Sequence, residues 1–349
     1  MKKIFKPIVI LLICMTSLFT NCRQEKVSTI DPVLQDTVTA VLERKMNEIN
    51  AYSAQAIVME VQTGEIKAMV GEGKPQESGL MRTVSMLAAL ETGKVKLSDT
   101  VNTEDGIIMV HDRPMKDHNW TRGGYGEITR LKGMMVSSNI ATYRTTKEAF
   151  KDAQAYIDML HRMNYEAEQM VTPQDSAWSN TAWAWLTIGY NQLVYPFQML
   201  TFYNAIANGG KMVKPILFKG ESEVINPQIA SKENIDSIRM GLALIVKEGL
   251  GKPAGSDKVQ VAGATGTTQL RMFENDTNDK IFHEYNVEFC GYFPADDPQY
   301  SIIVSINKIG LPASGGLMAG SVFSEIVDYM VGMERKQNRY KHLIKNKHE

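Results

Sequence analysis

Cysteine is scarce: three residues in 349. Cys14 and Cys22 fall in the leading segment, so Cys290 alone remains for a folded body and no disulfide framework can hold one. Cys290 sits in the apolar, strand-like run "VEFCGYF" and reads as a small buried hydrophobe. Net charge is nearly absent too, because 38 Lys and Arg against 39 Asp and Glu leave −1. That balance excludes nucleic-acid binding by phosphate neutralisation, which needs a basic footprint. Histidine is limited to six. His111, Asp112, Asp117 and His118 in "MVHDRPMKDHNW" have none of the short spacings that structural metal sites use. The stretch reads as a solvated loop, with no metal and no other cofactor expected. Internal repeats, low-complexity tracts and long linkers are missing, and the apolar run Ile8–Phe19 is too short for a comfortable membrane span.

That run follows Lys2, Lys3 and Lys6, the arrangement of a secretory signal. It closes on Leu18-Phe19-Thr20-Asn21-Cys22, which resembles a bacterial lipoprotein cleavage box, although Asn21 is larger than the residue usual before the Cys. The expectation is a signal over residues 1–21, a single domain over 22–349, and a lipid on Cys22 tethering it to a membrane of the bacterial envelope, facing the periplasm. A plain signal peptide or an uncleaved anchor is the alternative. The whole sequence is 44% hydrophobic and 22% charged, ordinary globular composition with ample material for a core.

Periodicity supplies the elements. Leu34, Val38, Val41, Leu42, Met46 and Ile49 recur at helical spacing behind the start signal Asp31-Pro32. "AQAIVMEV" and "IKAMV" flank Gln62-Thr63-Gly64-Glu65 and predict a hairpin. "MRTVSMLAALETG" predicts a helix closed by Gly93, and "VYPFQMLTFYNAIANGG" another. "VQVAG", "VEFCGYFP" and "YSIIVSIN" predict strands, followed by a helix over about Ser321 to Met333. The order predicts one mixed α/β (α+β) domain: an antiparallel sheet covered by its terminal helices, with an adjoining helical region. Trp178, Trp183 and Trp185 form no regular helical stripe and read as packing, with a possible rim role. The basic tail "ERKQNRYKHLIKNKHE" reads as a solvated helix end.

Three short stretches are candidates for chemistry: the helix start at 79–82, "VSSN" at 136–139, and "ATGT" at 264–267. With "MLAALETGKVKLSDTV", "GGYGEITRLKGMMVSSN", "VAGATGTTQ" and "VEFCGYFPADDPQYSIIVSINK", the chain resembles the transpeptidase domain of penicillin-binding proteins, in its division-type branch, over about residues 28–335. The resemblance implies a β-lactamase-like fold and three motifs, Ser-x-x-Lys, Ser-x-Asn and Lys-Thr-Gly. In such enzymes the first Ser is the nucleophile, and the Lys one helical turn on takes its proton. The second motif passes a proton to the leaving amine and holds the peptide. The third binds substrate along a strand edge beside an oxyanion hole.

Carried over by register, the motifs are damaged. The family's Lys stands six residues before the first Ala of "AALETGKV", which is Arg82, and three residues back the nucleophile position is Gly79. Ser137-Ser138-Asn139 is intact, whereas the third motif has Ala264 in place of Lys, followed by Thr265, Gly266 and Thr267. Arg is effectively always protonated and cannot act as the base. The resemblance therefore implies a catalytically inactive pseudo-transpeptidase. It would bind peptidoglycan stem peptide through Arg82, Ser137, Asn139, Thr265, Gly266 and Thr267, or scaffold a cell-wall synthesis or division complex. Arg82 pairing with Glu77 in a collapsed site is the plainer expectation. An active transpeptidase or serine hydrolase with a displaced nucleophile, Ser78 or Ser137, is the competing one. Ser78 reads as a helix N-cap and Ser85 as a neutral helix-face residue.

Overall fold

The computed structural model describes residues 26–345, apart from 176, 177, 180, 221 and 275–280. The signal-like segment and Cys22 lie outside the described residues. Five strands form the main sheet: β1 (Ala51–Glu60), β2 (Ile66–Val70), β3 (Ala262–Glu274), β4 (Ile281–Phe293) and β5 (Tyr300–Ile309). Their order is β3-β4-β5-β1-β2, and every pairing is antiparallel. β3 is thus an edge strand. The sheet is buried on both faces, which is why its strands read as nearly continuous apolar runs.

The two-residue period sorts side chains between two cores. On β1, Ala56 and Val58 enter one cluster while Ile57 and Met59 enter the other. The first cluster packs against α1 (Pro32–Ile49) and α9 (Ser321–Lys345), the helices nearest the two ends of the described chain. The second packs against α2 (Met81–Leu90), α7 (Pro196–Ala207) and α8 (Lys232–Lys247). Between these lie α3 (Arg130–Met135), α4 (Asn139–Ala149), α5 (Ala153–Arg162) and α6 (Ala182–Thr187). A satellite cluster around Ile108, Met115, Ile140 and Trp185 joins α4 and α6 to a small hairpin, Ile107–Val110 with Arg113–Lys116.

The predicted first helix, first hairpin and sheet strands are present. Two boundaries move: β3 starts at Ala262, after the expected Val259, and α9 runs past Met333 to Lys345. The stretch "MVHDRPMKDHNW" is not a plain solvated loop. It contributes a strand pair, and Asp117 after it is 1% exposed. Cys290 is fully buried, as its apolar run predicts.

Candidate functional site

Asp31, Ser138, Asp152 and Ser231 cap their helices with side-chain oxygens. α2 does not follow them. Its N-cap is Leu80, with no side-chain cap, so Ser78 is not the cap its identity suggests. Ser78 is instead buried, donating to Glu288 Oε2 at 2.7 Å and accepting from the Leu80 amide at 3.4 Å. Ser85 is no neutral face residue either: its Oγ bonds the Tyr156 hydroxyl and the Thr187 carbonyl, each at 2.7 Å.

The guanidinium of Arg82 fills the space beside Gly79. A Cβ on Gly79 would stand 3.1 Å from Arg82 Nη2, 3.2 Å from Nη1 and 3.1 Å from the Thr267 amide nitrogen, tighter than ordinary contact. Nη1 donates to Asn139 Oδ1 and Nη2 to the Thr265 carbonyl, both at 3.2 Å. Asn139 also donates to the Lys116 carbonyl, and Ser137 Oγ lies 3.1 Å from Thr265 Oγ1. Gly79, Arg82, Ser137, Asn139, Thr265, Gly266 and Thr267 therefore converge where α2, the start of α4 and the edge of β3 meet. Ala264 is buried behind them. What remains is a cavity of about 10 Å³, room for roughly one water.

Arg82 makes no ion pair among the described residues, so the expected pairing with Glu77 is not formed. Glu77 accepts from the Asn191 amide at 3.0 Å instead, because the chain at 76–78 runs alongside 189–194. Burial lowers the Arg82 pKa, opposed by nearby tyrosines and by the charges of Asp117 and Glu288. Both carboxylates are engaged elsewhere. Asp117 accepts from Ser138 Oγ at 2.6 Å and from the Ile140 amide at 3.1 Å, which fixes the start of α4. Glu288 accepts from Ser78, from Asn286 and from the Gly79 amide.

Glu288 is the site residue that sequence reasoning missed. It is 2% exposed on β4, opposite Gly266, and burial pushes its pKa up to about 7 against those hydrogen bonds and Arg82. A Cβ on Gly266 would lie 2.9 Å from its Oε2 and 3.3 Å from the Leu80 amide nitrogen, so a side chain there would crowd this carboxylate out of its present position. The signal was present: one acidic residue inside "VEFCGYF". Thr267, although exposed, accepts from the Gly315 amide at 3.0 Å. No cluster of metal-ligating residues occurs among the described residues, and His111 and His118 are exposed.

Residues 54–328 match the family described as the penicillin binding protein transpeptidase domain. The chain belongs to that family. Among its relatives are Penicillin-binding protein PbpB of Mycobacterium tuberculosis, 24% identical over 88% of this chain and 52% of that protein, and Peptidoglycan D,D-transpeptidase FtsI of Escherichia coli, 23% identical over 87% and 55%. The chain spans about half the length of the curated relatives it matches. The transpeptidase domain of Burkholderia pseudomallei penicillin-binding protein 3 has the same fold, with a TM-score of 0.74 at 23% identity, covering 89% of this chain and 97% of that one. Within this transpeptidase fold, the serine-rich second motif and the edge strand are assembled, while position 79 carries no hydroxyl.

Proposed function

We propose that this transpeptidase-fold protein binds without acylating: a tethered envelope component that engages the carboxylate terminus of a peptidoglycan stem peptide and does not turn it over. The observation carrying this reading is Arg82, whose guanidinium occupies the nucleophile's volume, bonds only neutral acceptors and has no carboxylate partner among the described residues. A planar fork of donors with no carboxylate partner among the described residues, set between Asn139 and the exposed Thr267, suits an incoming carboxylate. Acylation lacks its nucleophile and its base at this locus. There is no hydroxyl at 79, no neutral amine at 82, and the Gly79 amide, a donor that would face a developing oxyanion, is engaged by Glu288.

Ser78 does not replace the nucleophile, being buried and held by Glu288. Ser137 Oγ is paired with the Thr265 hydroxyl, which is no base. Pure scaffolding is the second reading, favoured by one feature: Arg82 already takes the outward carbonyl of Thr265, which a strand-like ligand would use. Fluorescent penicillin is expected to leave the purified protein unlabelled, and a stable acyl adduct in the mass spectrum would overturn the proposal. Titration with a stem pentapeptide ending in D-Ala-D-Ala separates the two readings. Binding that Arg82→Gln abolishes supports the carboxylate site, and no binding at all leaves the scaffold.

A further inference from the structure

Away from the degenerate site, a cavity of about 390 Å³ opens where α1 begins, lined there by Asp31 and Val33 and on α9 by Met333 and Glu334. The two helices run antiparallel, since Arg44 of α1 pairs with Glu325 of α9, so the start of one meets the later turns of the other. Sites for small molecules begin near 300 Å³, whereas the degenerate site offers only about 10 Å³. The walls are tied together by the protein itself. Thr29 N–H donates to the Leu217 carbonyl at 3.0 Å, Lys219 N–H to the Val27 carbonyl at 2.7 Å and Asp31 N–H to the Lys67 carbonyl at 2.9 Å. Thr29 Oγ1 adds a bond to the Ile66 carbonyl at 2.8 Å. Residues 27–31, the 217–219 stretch and β2 thus make one framed wall, and a preformed wall lowers the cost of ordering on binding.

The charged side chains that line the cavity are Asp31, Lys67, Lys219 and Glu334. Two of them are engaged by the protein. Asp31 Oδ1 accepts the Val33 and Leu34 amides as the cap of α1, and Lys67 pairs with Glu65 and, at 4.0 Å, with Glu60. Lys219 and Glu334 make no ion pair among the described residues, not even with each other, although both line the same space. They stand on different elements, the cation beside the framed wall and the anion on α9. Tyr300, the first residue of β5, belongs to the acidic side: burial raises its pKa first, and the charges of Glu334, Glu60 and Asp31 add to that. Its hydroxyl stays a neutral phenol, able to accept a hydrogen bond as well as donate one. Leu34, Tyr329, Met330 and Met333 supply apolar surface, and the thioethers adapt to irregular shapes.

We propose that this cavity binds a small zwitterion of dipeptide size, its carboxylate on Lys219, its ammonium on Glu334 beside the Tyr300 hydroxyl, and its apolar body on the methionines. Charge complementarity selects the ligand. A simple anion would leave Glu334 unmatched, a simple cation would leave Lys219 unmatched, and a neutral molecule would match neither. A zwitterion answers both and brings no net charge into the cavity. The site is separate from Arg82 and does not depend on what the groove at α2 binds.

The test is calorimetric titration of the full chain, at neutral pH and low salt, with L-alanyl-L-leucine, its C-terminal amide and its N-acetyl form. The free dipeptide is expected to bind about fivefold more tightly than either blocked form, the scale of a partly solvated ion pair. Lys219→Gln should erase the difference between dipeptide and amide while keeping that between dipeptide and N-acetyl form. Glu334→Gln should do the reverse. Equal binding of all three peptides to the wild type overturns the proposal, and so does the absence of binding at millimolar dipeptide. Binding whose preferences persist in Lys219→Gln and Glu334→Gln but which is lost in Arg82→Gln places the ligand at α2 and overturns it as well.

Discussion

Gly79 and Arg82 are coupled by volume. A Ser at 79 places its Cβ against both guanidinium nitrogens and the Thr267 amide, so one of them must yield. Gly79→Ser is expected to cost about 1 kcal/mol in the wild-type background and clearly less in Arg82→Ala, where the close approach to the Thr267 amide remains but both guanidinium contacts are gone. Urea denaturation of the four proteins measures this, and equal effects in both backgrounds would place the guanidinium elsewhere. Glu288 makes a pH prediction. Its folded pKa of about 7 lies above the ordinary carboxylate value, so the folded state binds the extra proton between the two. Its contribution to stability is therefore full below about pH 4.5 and is lost as pH rises through 7, at most about 1.4 kcal/mol per unit. Glu288→Gln should flatten the melting-temperature profile between pH 5 and 8 relative to wild type. An unchanged slope would show that Glu288 titrates normally.

At the scale of elements, Asp117 joins the small hairpin to α4. Its two oxygens take the Ser138 hydroxyl and the Ile140 amide, acting as a cap supplied from outside the helix. Asp117→Ala should cost about 2 kcal/mol, read as a lowered melting temperature, with Asp117→Asn retaining part of it because one acceptor survives. This element also marks the limit of what the sequence conveys. Helices α1 and α2, the first hairpin and strands β3 to β5 are legible because their apolar periods repeat over many residues, and the motif stretches align by order alone. Asp117 is not legible in that way: its neighbours alternate exposed and buried, and its partners lie 21 and 23 residues away. Ser78 misleads for a similar reason. Local preference favours an N-cap, but a carboxylate 210 residues on competes for the hydroxyl and wins. Register along the chain singles out Arg82 at the start of α2, while its partners, Asn139 and the Thr265 carbonyl, required the fold.

At the scale of the whole molecule, one sheet separates two cores, and neither survives without it. Leu87, fully buried, belongs to the core under α2, and Phe323 to the core under α9, where its ring meets Phe289 at 4.7 Å between centroids. Leu87→Ala and Phe323→Ala should each cost about 3 to 4 kcal/mol, and the double variant their sum within about 0.5 kcal/mol, because they share the sheet but no contacts. Coincident circular dichroism and tryptophan fluorescence transitions would accompany this. A two-step unfolding curve in either single variant would show that the faces fold separately.

The buried link from Ser78 through Glu288 to the Gly79 amide has a further consequence. Active sites usually hold strain that the rest of the protein must offset, and this is why mutations that raise stability tend to lower turnover. Here the link is satisfied by its own groups, Ser78 and the Gly79 amide both donating to Glu288. On the reading proposed above, selection on it would act through folding yield, and building a nucleophile at 79 would mean dismantling this contact before any rate was gained.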